Sequence, residues 1–249
     1  HKSLPVKISK LVLKNETNLN RNLTVTSYVE WVLGFSRSLS SNYLVTSYDE
    51  LSGSVFCQNT WNQEFGPRIS FASFIGGNDS VTGNRTEFIG RNGNMRRPHA
   101  LLTNQKLSNH TGAGMDSCAA IAKKIFIPAN TEVTVLFILG QEENSLKAQE
   151  LIKEIAQQND KDILKEVVKE WDNILGVIQV DTPDLSMNIM LNRWLLYQSV
   201  VCRLWARTAF YQSGGAFGFR DQLQDSMSVV WSKPNMMSYY GFLLSFLII

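Results

Sequence analysis

Residues 22–32 read NLTVTSYVEWV and show the two-residue alternation of a β-strand that is buried on one side. One set of alternating positions carries mostly apolar side chains, namely Leu23, Val25, Ser27, Val29 and Trp31. The other set consists of Thr24, Thr26, Tyr28 and Glu30. β-Branched and aromatic residues, which favour strands, are enriched in the stretch. It therefore predicts a strand with one face toward a core.

Outward from this strand, the first 143 residues carry further strand patterns. The segments SVFCQN at 54–59 and ISFASF at 69–74 are short apolar runs. The segment 121–140, IAKKIFIPANTEVTVLFILG, predicts two strands joined by a turn at Pro128 to Asn130. Many short strands separated by Gly and Asn turns are typical of a sandwich, so residues 1–143 are predicted to form a β-sandwich domain.

After residue 143 the apolar spacing becomes helical. Residues 145–175 predict two amphipathic helices with a polar break at 157–162, and we assign 144–179 to a helical linker. A long, mostly apolar helix should run from Leu185 to about Phe210, capped by Thr182 or Asp181. A second helix is expected to start near Asp221, within a helical domain at 180–249.

Composition limits the classes of protein. Hydrophobic residues make up 44% and charged residues 18%, which favours a folded chain with a sizeable core. The net charge of +2 gives no support for nucleic acid as a partner. The three cysteines, Cys57, Cys118 and Cys202, are widely spaced and predict buried free thiols in a reducing cytosol rather than disulfides or zinc ligands.

The stretch GAFGFRDQLQD at 215–225 places carboxylates in a turn rich in glycine and aromatic residues. Cleavage of a glycosidic bond needs a carboxylic acid that protonates the departing oxygen. If Asp221 starts a helix, Asp225 lies one turn later on the same face. The simpler alternative is that Asp221 only caps the helix and that Arg220 and Asp225 form an ordinary ion pair.

Several longer stretches resemble the inverting phosphorylases of glycoside hydrolase family 94, and most of all its 1,2-β-oligoglucan phosphorylase and cyclic β-1,2-glucan synthase branches. The similar stretches occur in the family's order over residues 15–235: TSYVEWVLG at 26–34, QNTWNQEFG at 58–66, TGNRTEFIGRNG at 82–93, GAGMDSCAAI at 112–121 and the segment 191–225. The resemblance implies a β-sandwich, a helical linker and an (α/α)₆ barrel, of which 180–249 would supply the first helices.

The resemblance also implies a reaction in which inorganic phosphate attacks the anomeric carbon of a terminal β-linked glucosyl unit with inversion. The family's general acid follows an aromatic–Arg pair, so it matches Asp221 after Phe219 and Arg220. Phe219, Arg220 and Asp225 are the substrate-binding candidates around it. A loop of the sandwich helps to bind the glucosyl unit, which makes Arg85, Arg91 and Asn92 candidates as well.

The sandwich positions have structural alternatives. Arg85 could pair with Glu87 on a strand face while Gly90 and Gly93 only shape a turn. The motif residues Trp61, Asn62 and Glu64 are predicted to serve the sandwich core and its turns rather than a ligand.

The expected partners are a β-glucan oligosaccharide and phosphate as co-substrate, with no cofactor, metal or nucleic acid. We expect a cytoplasmic location, or the cytoplasmic side of the inner membrane if the chain is part of a cyclic glucan synthase. The oligomeric state is open, with a dimer of the intact parent as one hypothesis. The chain itself is expected to be an inactive fragment. A non-catalytic sugar-binding sandwich and an inverting hydrolase that uses water remain alternatives.

Overall fold

The computed structural model describes residues 1–103, 105–205 and 224–235 of the chain. These residues divide into two compact units, one made of 3–160 and one that begins at Lys161. The first unit consists of antiparallel sheets with helices, and the second is helical. The predicted order, sheets first and helices afterwards, is therefore confirmed. The domain boundaries after residues 143 and 179 stay predictions.

The first unit contains two antiparallel sheets. Its strands are β1 (Val6–Lys14), β2 (Arg21–Glu30), β3 (Leu44–Asp49), β4 (Ser54–Asn59), β5 (Ile69–Phe74), β6 (Ser80–Asn84), β7 (Ser117–Ile127) and β8 (Glu132–Glu142). One sheet has five strands in the order β1-β8-β5-β4-β3, and the other has three in the order β2-β7-β6. Strands β4 and β5 have the predicted bounds, and β7 and β8 meet at the predicted turn. The sequence patterns did not predict β1, β3 or β6.

The core between the two sheets explains the alternation in β2. Val25 and Val29 of β2 pack against this core, and Trp31, just after the strand, is 3% exposed within it. Tyr28 faces the other side of the sheet, where it packs against a separate buried cluster. Because successive strand residues point to opposite faces, the predicted alternation is confirmed, and the structure adds a second cluster on the other face of the strand.

A helix covers the outer face of the five-stranded sheet. This helix, α4 (Ser145–Gln157), begins at the cap residue Asn144, whose side chain accepts a hydrogen bond from the Lys147 backbone N–H. Its apolar side packs with the sheet in one buried cluster: Phe56, Phe71, Ile138, Ala148, Leu151, Ile152 and Ile155. The sheet is therefore buried on both faces at β4 and β5, which explains why these strands read as apolar runs without alternation.

Short helices cover the outer face of the three-stranded sheet. They are α2 (Arg85–Ile89) and α3 (His99–Thr103), while α1 (Arg37–Ser40) follows β2. Phe88 and Ile89 of α2 are buried against Cys118 and Ala120 of β7. The Phe88 ring also stacks on Tyr28 with a centroid distance of 4.8 Å. These contacts attach α2, and the loop after it, to the sheet.

The second unit contains a long helical segment. Helix α5 (Asp160–Leu175) precedes it, and the segment comprises α6 (Leu185–Ile189), a π-type part (Met190–Trp194), α7 (Leu195–Gln198) and a second π-type part (Ser199–Trp205). The prediction that Thr182 or Asp181 caps this helix is wrong. Asp184 caps the helix, because its carboxylate accepts hydrogen bonds from the Ser186 and Met187 backbone N–H groups.

A buried cluster holds the described part of this unit together. It consists of Ile174, Leu175, Leu196, Val200, Leu204 and Val229. A helical turn at 224–227 leads to Val229, which is fully buried. No helix among the residues that the structure describes is both long and apolar enough to cross a membrane.

Candidate functional site

The predicted acid motif lies at the edge of what the structure describes. Phe219, Arg220 and Asp221 lie outside the described residues, so their roles stay predictions. Asp225 is described and half-buried, in the helical turn at 224–227. The Asp225 carbonyl accepts hydrogen bonds from the Ser228 backbone N–H at 3.2 Å and its hydroxyl at 2.7 Å. Together with buried Ser226 and Val229, these bonds fix the segment directly after the motif.

Aromatic side chains line the helices of the second unit. The Trp171 ring contacts Tyr197 and Trp205, each with a centroid distance of 5.3 Å. The Trp194 ring stacks on Tyr197 at 6.0 Å. Trp194 and Trp205 remain about half exposed, at 49% and 53%. The unit therefore combines an apolar core with aromatic rings that are open on one side.

The loop after α2 presents the predicted sugar-binding residues Arg91 and Asn92 to solvent, since both are exposed. Two glycines make this geometry possible. Gly90 has a φ of 94°, which few residues other than glycine adopt. A Cβ at Gly93 would lie 1.9 Å from the Ile89 carbonyl oxygen. Gly90 and Gly93 therefore shape the turn, and the turn exposes Arg91 and Asn92, whose sugar-binding role stays a prediction.

Two further arginines lie on the same loop, and the sequence analysis did not predict them as site residues. Arg96 and Arg97 are exposed, and the Asn94 side chain and carbonyl accept hydrogen bonds from their backbone N–H groups at 3.0 and 3.2 Å. An arginine pair after a glycine turn on the candidate loop is the signal that could have found them. The loop thus exposes three guanidinium groups.

Arg85 has a different setting from Arg91. As the first residue of α2, it donates from Nε to Glu30 Oε1 at 2.8 Å and from Nη1 to Asp116 Oδ2 at 3.4 Å. Arg37 bridges the same two carboxylates, with 2.7 Å to Glu30 and a short contact to Asp116. We call Glu30, Arg37, Arg85 and Asp116 the charge network; it joins the ends of β2, α1 and α2 to the residue before β7.

The alternative that pairs Arg85 with Glu87 is wrong. Glu87 instead accepts hydrogen bonds from the Thr82 hydroxyl at 2.6 Å and from the Ser108 backbone N–H at 2.8 Å. Glu87 therefore ties α2 to β6 and to the segment that returns toward β7. Arg85 and Glu87 therefore both hold α2 in place, through different partners.

The charge network shifts the pKa of two of its members, Glu30 and Arg85. Burial by itself would raise the pKa of Glu30, but hydrogen bonds from Arg85 and Tyr28 and the charge of Arg37 hold that pKa below its ordinary value. The hydrogen bond to Glu30 raises the pKa of Arg85. Burial raises the pKa of Tyr28, and its hydrogen bond to Glu30 adds to the increase. At neutral pH Glu30 is therefore a carboxylate and Arg85 is a charged guanidinium.

The two buried thiols are unsuited to nucleophilic catalysis. Cys57 and Cys118 are buried free thiols, as predicted, and Cys202 is half-buried. Burial raises the pKa of both Cys57 and Cys118 to about 12, so that each stays a neutral thiol near pH 7. Among the residues with described coordinates, no group of His, Cys, Asp or Glu is arranged to hold a metal ion.

The prediction that Trp61 serves the sandwich core is wrong. Its side chain is 71% exposed, and its ring stacks on Tyr43 with a centroid distance of 5.1 Å and an angle of 19° between the planes. The turn role of Asn62 is confirmed, because its side-chain oxygen accepts hydrogen bonds from the Glu64 and Phe65 backbone N–H groups. An exposed tryptophan on an ordered turn is a second feature that the sequence reading missed.

Two family profiles match the chain in succession. Residues 1–158 match the supersandwich domain of glycosyl hydrolase 94. Residues 170–240 match the catalytic domain of the glycosyl hydrolase 94 superfamily, a range that includes Phe219, Arg220, Asp221 and Asp225.

Curated relatives include a synthase and phosphorylases. The chain is 36% identical to the cyclic β-(1,2)-glucan synthase NdvB of Rhizobium meliloti (strain 1021), over 94% of this chain and 8% of the relative. It is 25% identical to the N,N′-diacetylchitobiose phosphorylase of Vibrio proteolyticus, over 91% of this chain and 29% of the relative. It is 26% identical to the solabiose phosphorylase of Paenibacillus borealis, over 93% of this chain and 30% of the relative.

The chain thus spans between 8% and 30% of the length of these three relatives. The supersandwich match coincides with the two-sheet unit, and the catalytic-domain match falls on the helical unit. Because the supersandwich match alone covers more than half of the sequence, the chain belongs to glycosyl hydrolase family 94.

Proposed function

We propose that these residues form part of a carbohydrate-active enzyme that transfers a β-linked glucosyl unit to inorganic phosphate with inversion and releases glucose 1-phosphate. The observation that carries this proposal is the match to both domains of the family, in order, along one chain. The names of the relatives, which include phosphorylases, support the reaction class. The 36% identity to a cyclic β-(1,2)-glucan synthase supports β-1,2-glucan as the substrate class.

In this proposal Asp221 is the general acid. Phosphate attacks the anomeric carbon, the bond from that carbon to the departing sugar oxygen breaks, and the Asp221 carboxyl gives its proton to that oxygen. Asp221 is left as a carboxylate. Phosphate is already an anion, so a second carboxylate that activates a water molecule is unnecessary. Arg220 positions the acid or the substrate, and Phe219 covers an apolar sugar face.

Asp225 has a supporting role in the proposal. It follows Asp221 by four residues in the sequence, and the backbone around it is fixed by Ser228 and by buried Val229. We therefore assign Asp225 to orientation of the acid motif or to a sugar hydroxyl, rather than to proton transfer.

The sandwich contributes Arg91 and Asn92 as contacts to the glucosyl unit. Their exposure on a turn made by Gly90 and Gly93 supports this role. Arg85 was a candidate for the same role, but its ion pairs with Glu30 and Asp116 favour a role in holding α2.

We also propose the larger architecture. The domains would be a β-sandwich at 1–143, a helical linker at 144–179 and the first helices of an (α/α)₆ barrel at 180–249. Because the chain spans only a small share of its relatives, we propose that it is inactive by itself and works within a longer protein. That protein would use no cofactor, and would lie in the cytoplasm or on the cytoplasmic side of the inner membrane as part of a synthase.

The test uses the longer protein that contains these residues. Incubated with β-1,2-linked glucose oligosaccharides and phosphate, it should release glucose 1-phosphate, detected by a coupled enzyme assay. Asp221→Asn should lower kcat by at least about 10²-fold with a smaller change in KM, since positioned acids contribute ~10² to 10⁴-fold.

Other products would refute the proposal. Free glucose formed without phosphate would indicate an inverting hydrolase. Oligosaccharide binding with no turnover would indicate a non-catalytic binding module. Near-normal turnover in Asp221→Asn together with loss in folded Asp225→Asn would show that the wrong carboxylate was assigned.

A further inference from the structure

We propose that Trp61, backed by Tyr43, forms a further carbohydrate-binding site on the sandwich, for β-linked glucose oligosaccharides. The two rings are nearly parallel, with 19° between their planes, so Tyr43 covers one face of the indole. Trp61 is nevertheless 71% exposed, which leaves the opposite face open to solvent. We call this open face, with its Tyr43 backing, the Trp61 platform.

The backbone beneath the Trp61 platform is fixed by asparagine side chains. Asn59 accepts a hydrogen bond from the Trp61 backbone N–H at 3.1 Å, and its amide donates to the Leu33 carbonyl at 2.7 Å. The Thr60 backbone N–H donates to the Tyr43 carbonyl at 3.3 Å, which connects the two segments that carry the rings. The exposed ring therefore stands on an ordered base.

The rest of the turn is equally constrained. The Asn62 side-chain oxygen accepts hydrogen bonds from the Glu64 and Phe65 backbone N–H groups, and the Gln58 amide donates to the Gly66 carbonyl at 2.5 Å. A Cβ at Gly66 would lie 2.3 Å from the Asn62 carbonyl oxygen, so the chain closes tightly there. Ordering before binding lowers the entropic cost of capturing a ligand.

The chemistry around the ring suits a pyranose. One face of a β-linked glucose ring presents C–H groups, which pack on an indole, whereas its hydroxyl groups point outward along the rim. The neighbouring residues of the turn, Thr60, Gln63 and Glu64, are polar and exposed. An open aromatic face on a turn of polar residues matches a sugar better than it matches a purely apolar ligand. The choice of a glucose oligosaccharide rests on the proposed function.

The test is a binding measurement on the 249-residue chain, with β-1,2-linked glucose oligosaccharides titrated by calorimetry. Replacing a central aromatic contact weakens binding by about tenfold or more, so Trp61→Ala should lower the affinity by at least that factor. Trp61→Phe, which keeps a smaller aromatic ring, should lose less affinity than Trp61→Ala. Trp231→Ala is the matched control, because Trp231 is 76% exposed, and it should leave the affinity unchanged.

Circular dichroism and thermal unfolding establish that each variant is folded. Because Trp61 contributes little buried surface, Trp61→Ala should unfold at the parent temperature. If Trp61→Ala fails to fold, Trp61→Phe and Tyr43→Ala provide the same comparison. Parallel titrations with β-1,4-linked glucose and chitin oligosaccharides show which linkage the platform prefers.

The proposal is overturned if no oligosaccharide binds, or if Trp61→Ala binds as tightly as the parent chain. It is also overturned if Trp61→Ala changes self-association and not sugar binding, since the ring would then be a protein contact. Failure of phosphorolysis in the longer protein would refute the proposed reaction without affecting this result. Conversely, absence of oligosaccharide binding by the 249-residue chain would overturn the platform without refuting the proposed reaction.

Discussion

Replacing Glu30 with glutamine should destabilise the sandwich at neutral pH. Glu30 Oε1 accepts hydrogen bonds from Arg85 at 2.8 Å and from Tyr28 at 2.7 Å, and Oε2 accepts one from Arg37 at 2.7 Å. A glutamine keeps one oxygen acceptor but turns the other position into a donor. Glu30→Gln therefore removes the charge from both ion pairs and sets an N–H group against a donor.

The expected size of the effect follows from exposure. The side chains of the charge network are between 30% and 37% exposed, so water screens their interactions. Partly exposed ion pairs contribute about 0.2–1 kcal/mol each, and an unmet donor adds a similar cost. We expect the free energy of unfolding at pH 7 to fall by about 1–2 kcal/mol.

The effect should depend on pH. Hydrogen bonds from Arg85 and Tyr28 outweigh burial and hold the pKa of Glu30 below its ordinary value of 4.5. A group with a lowered folded pKa contributes stability above its unfolded pKa and loses it as the pH falls through the folded value. The difference between the parent chain and Glu30→Gln should therefore be full at pH 7 and should disappear well below pH 4.5.

The assay is urea unfolding followed by circular dichroism at pH 7 and at pH 3. High salt should reduce the difference at pH 7, because it screens exposed charges. Glu143→Gln is the matched control, since Glu143 forms an ion pair with Lys147 on the surface, at 58% side-chain exposure, and should change stability less. Equal stability of Glu30→Gln and the parent chain at pH 7, or a difference that persists at pH 3, would refute the reasoning.

Ile155→Ala should lower the free energy of unfolding by about 2–5 kcal/mol in urea titrations, because Ile155 is 1% exposed between α4 and the sheet. Leu146→Ala on the same helix is the control, at 69% exposure. Gly93→Ala should raise KM for the glucan at least about tenfold in the longer protein, because the new Cβ meets the Ile89 carbonyl and moves the loop; unchanged kinetics would exclude that loop from the substrate site. A β-glucosyl fluoride donor, whose good leaving group needs less protonation, should restore part of the Asp221→Asn loss in phosphate-dependent turnover; no recovery would argue against an acid role.

Family membership and the order of the two units could be predicted from the sequence. The motifs at 26–34, 58–66, 82–93 and 191–225 are long and occur in the family's order. The bounds of β4 and β5 were also predicted, because their apolar runs end at polar turns. The break between α4 and α5 was predicted from the polar residues at 157–162. These features depend on neighbouring residues, so they can be read locally.

Strands β1, β3 and β6 could not be predicted in this way. Much of β1 is exposed on both faces, so its apolar and polar residues do not alternate regularly. Its bounds are set by antiparallel pairing with β8, which lies far away along the chain. The helix cap at Asp184 was missed because Thr182 and Asp181 are equally good cap residues. Which of these residues acts as the cap depends on where the folded backbone begins its first helical turn, and the structure begins it at Leu185.

The sequence by itself determined the family, the succession of sheets and helices, and the candidate acid Asp221. Tertiary structure alone decided that Arg85 pairs with Glu30 and Asp116, which lie 55 and 31 residues away along the chain. It also decided that Trp61 points into solvent while Trp31 is buried. Local patterns record which residues neighbour each other along the chain, whereas ion pairs and exposure depend on how distant strands close over a common core.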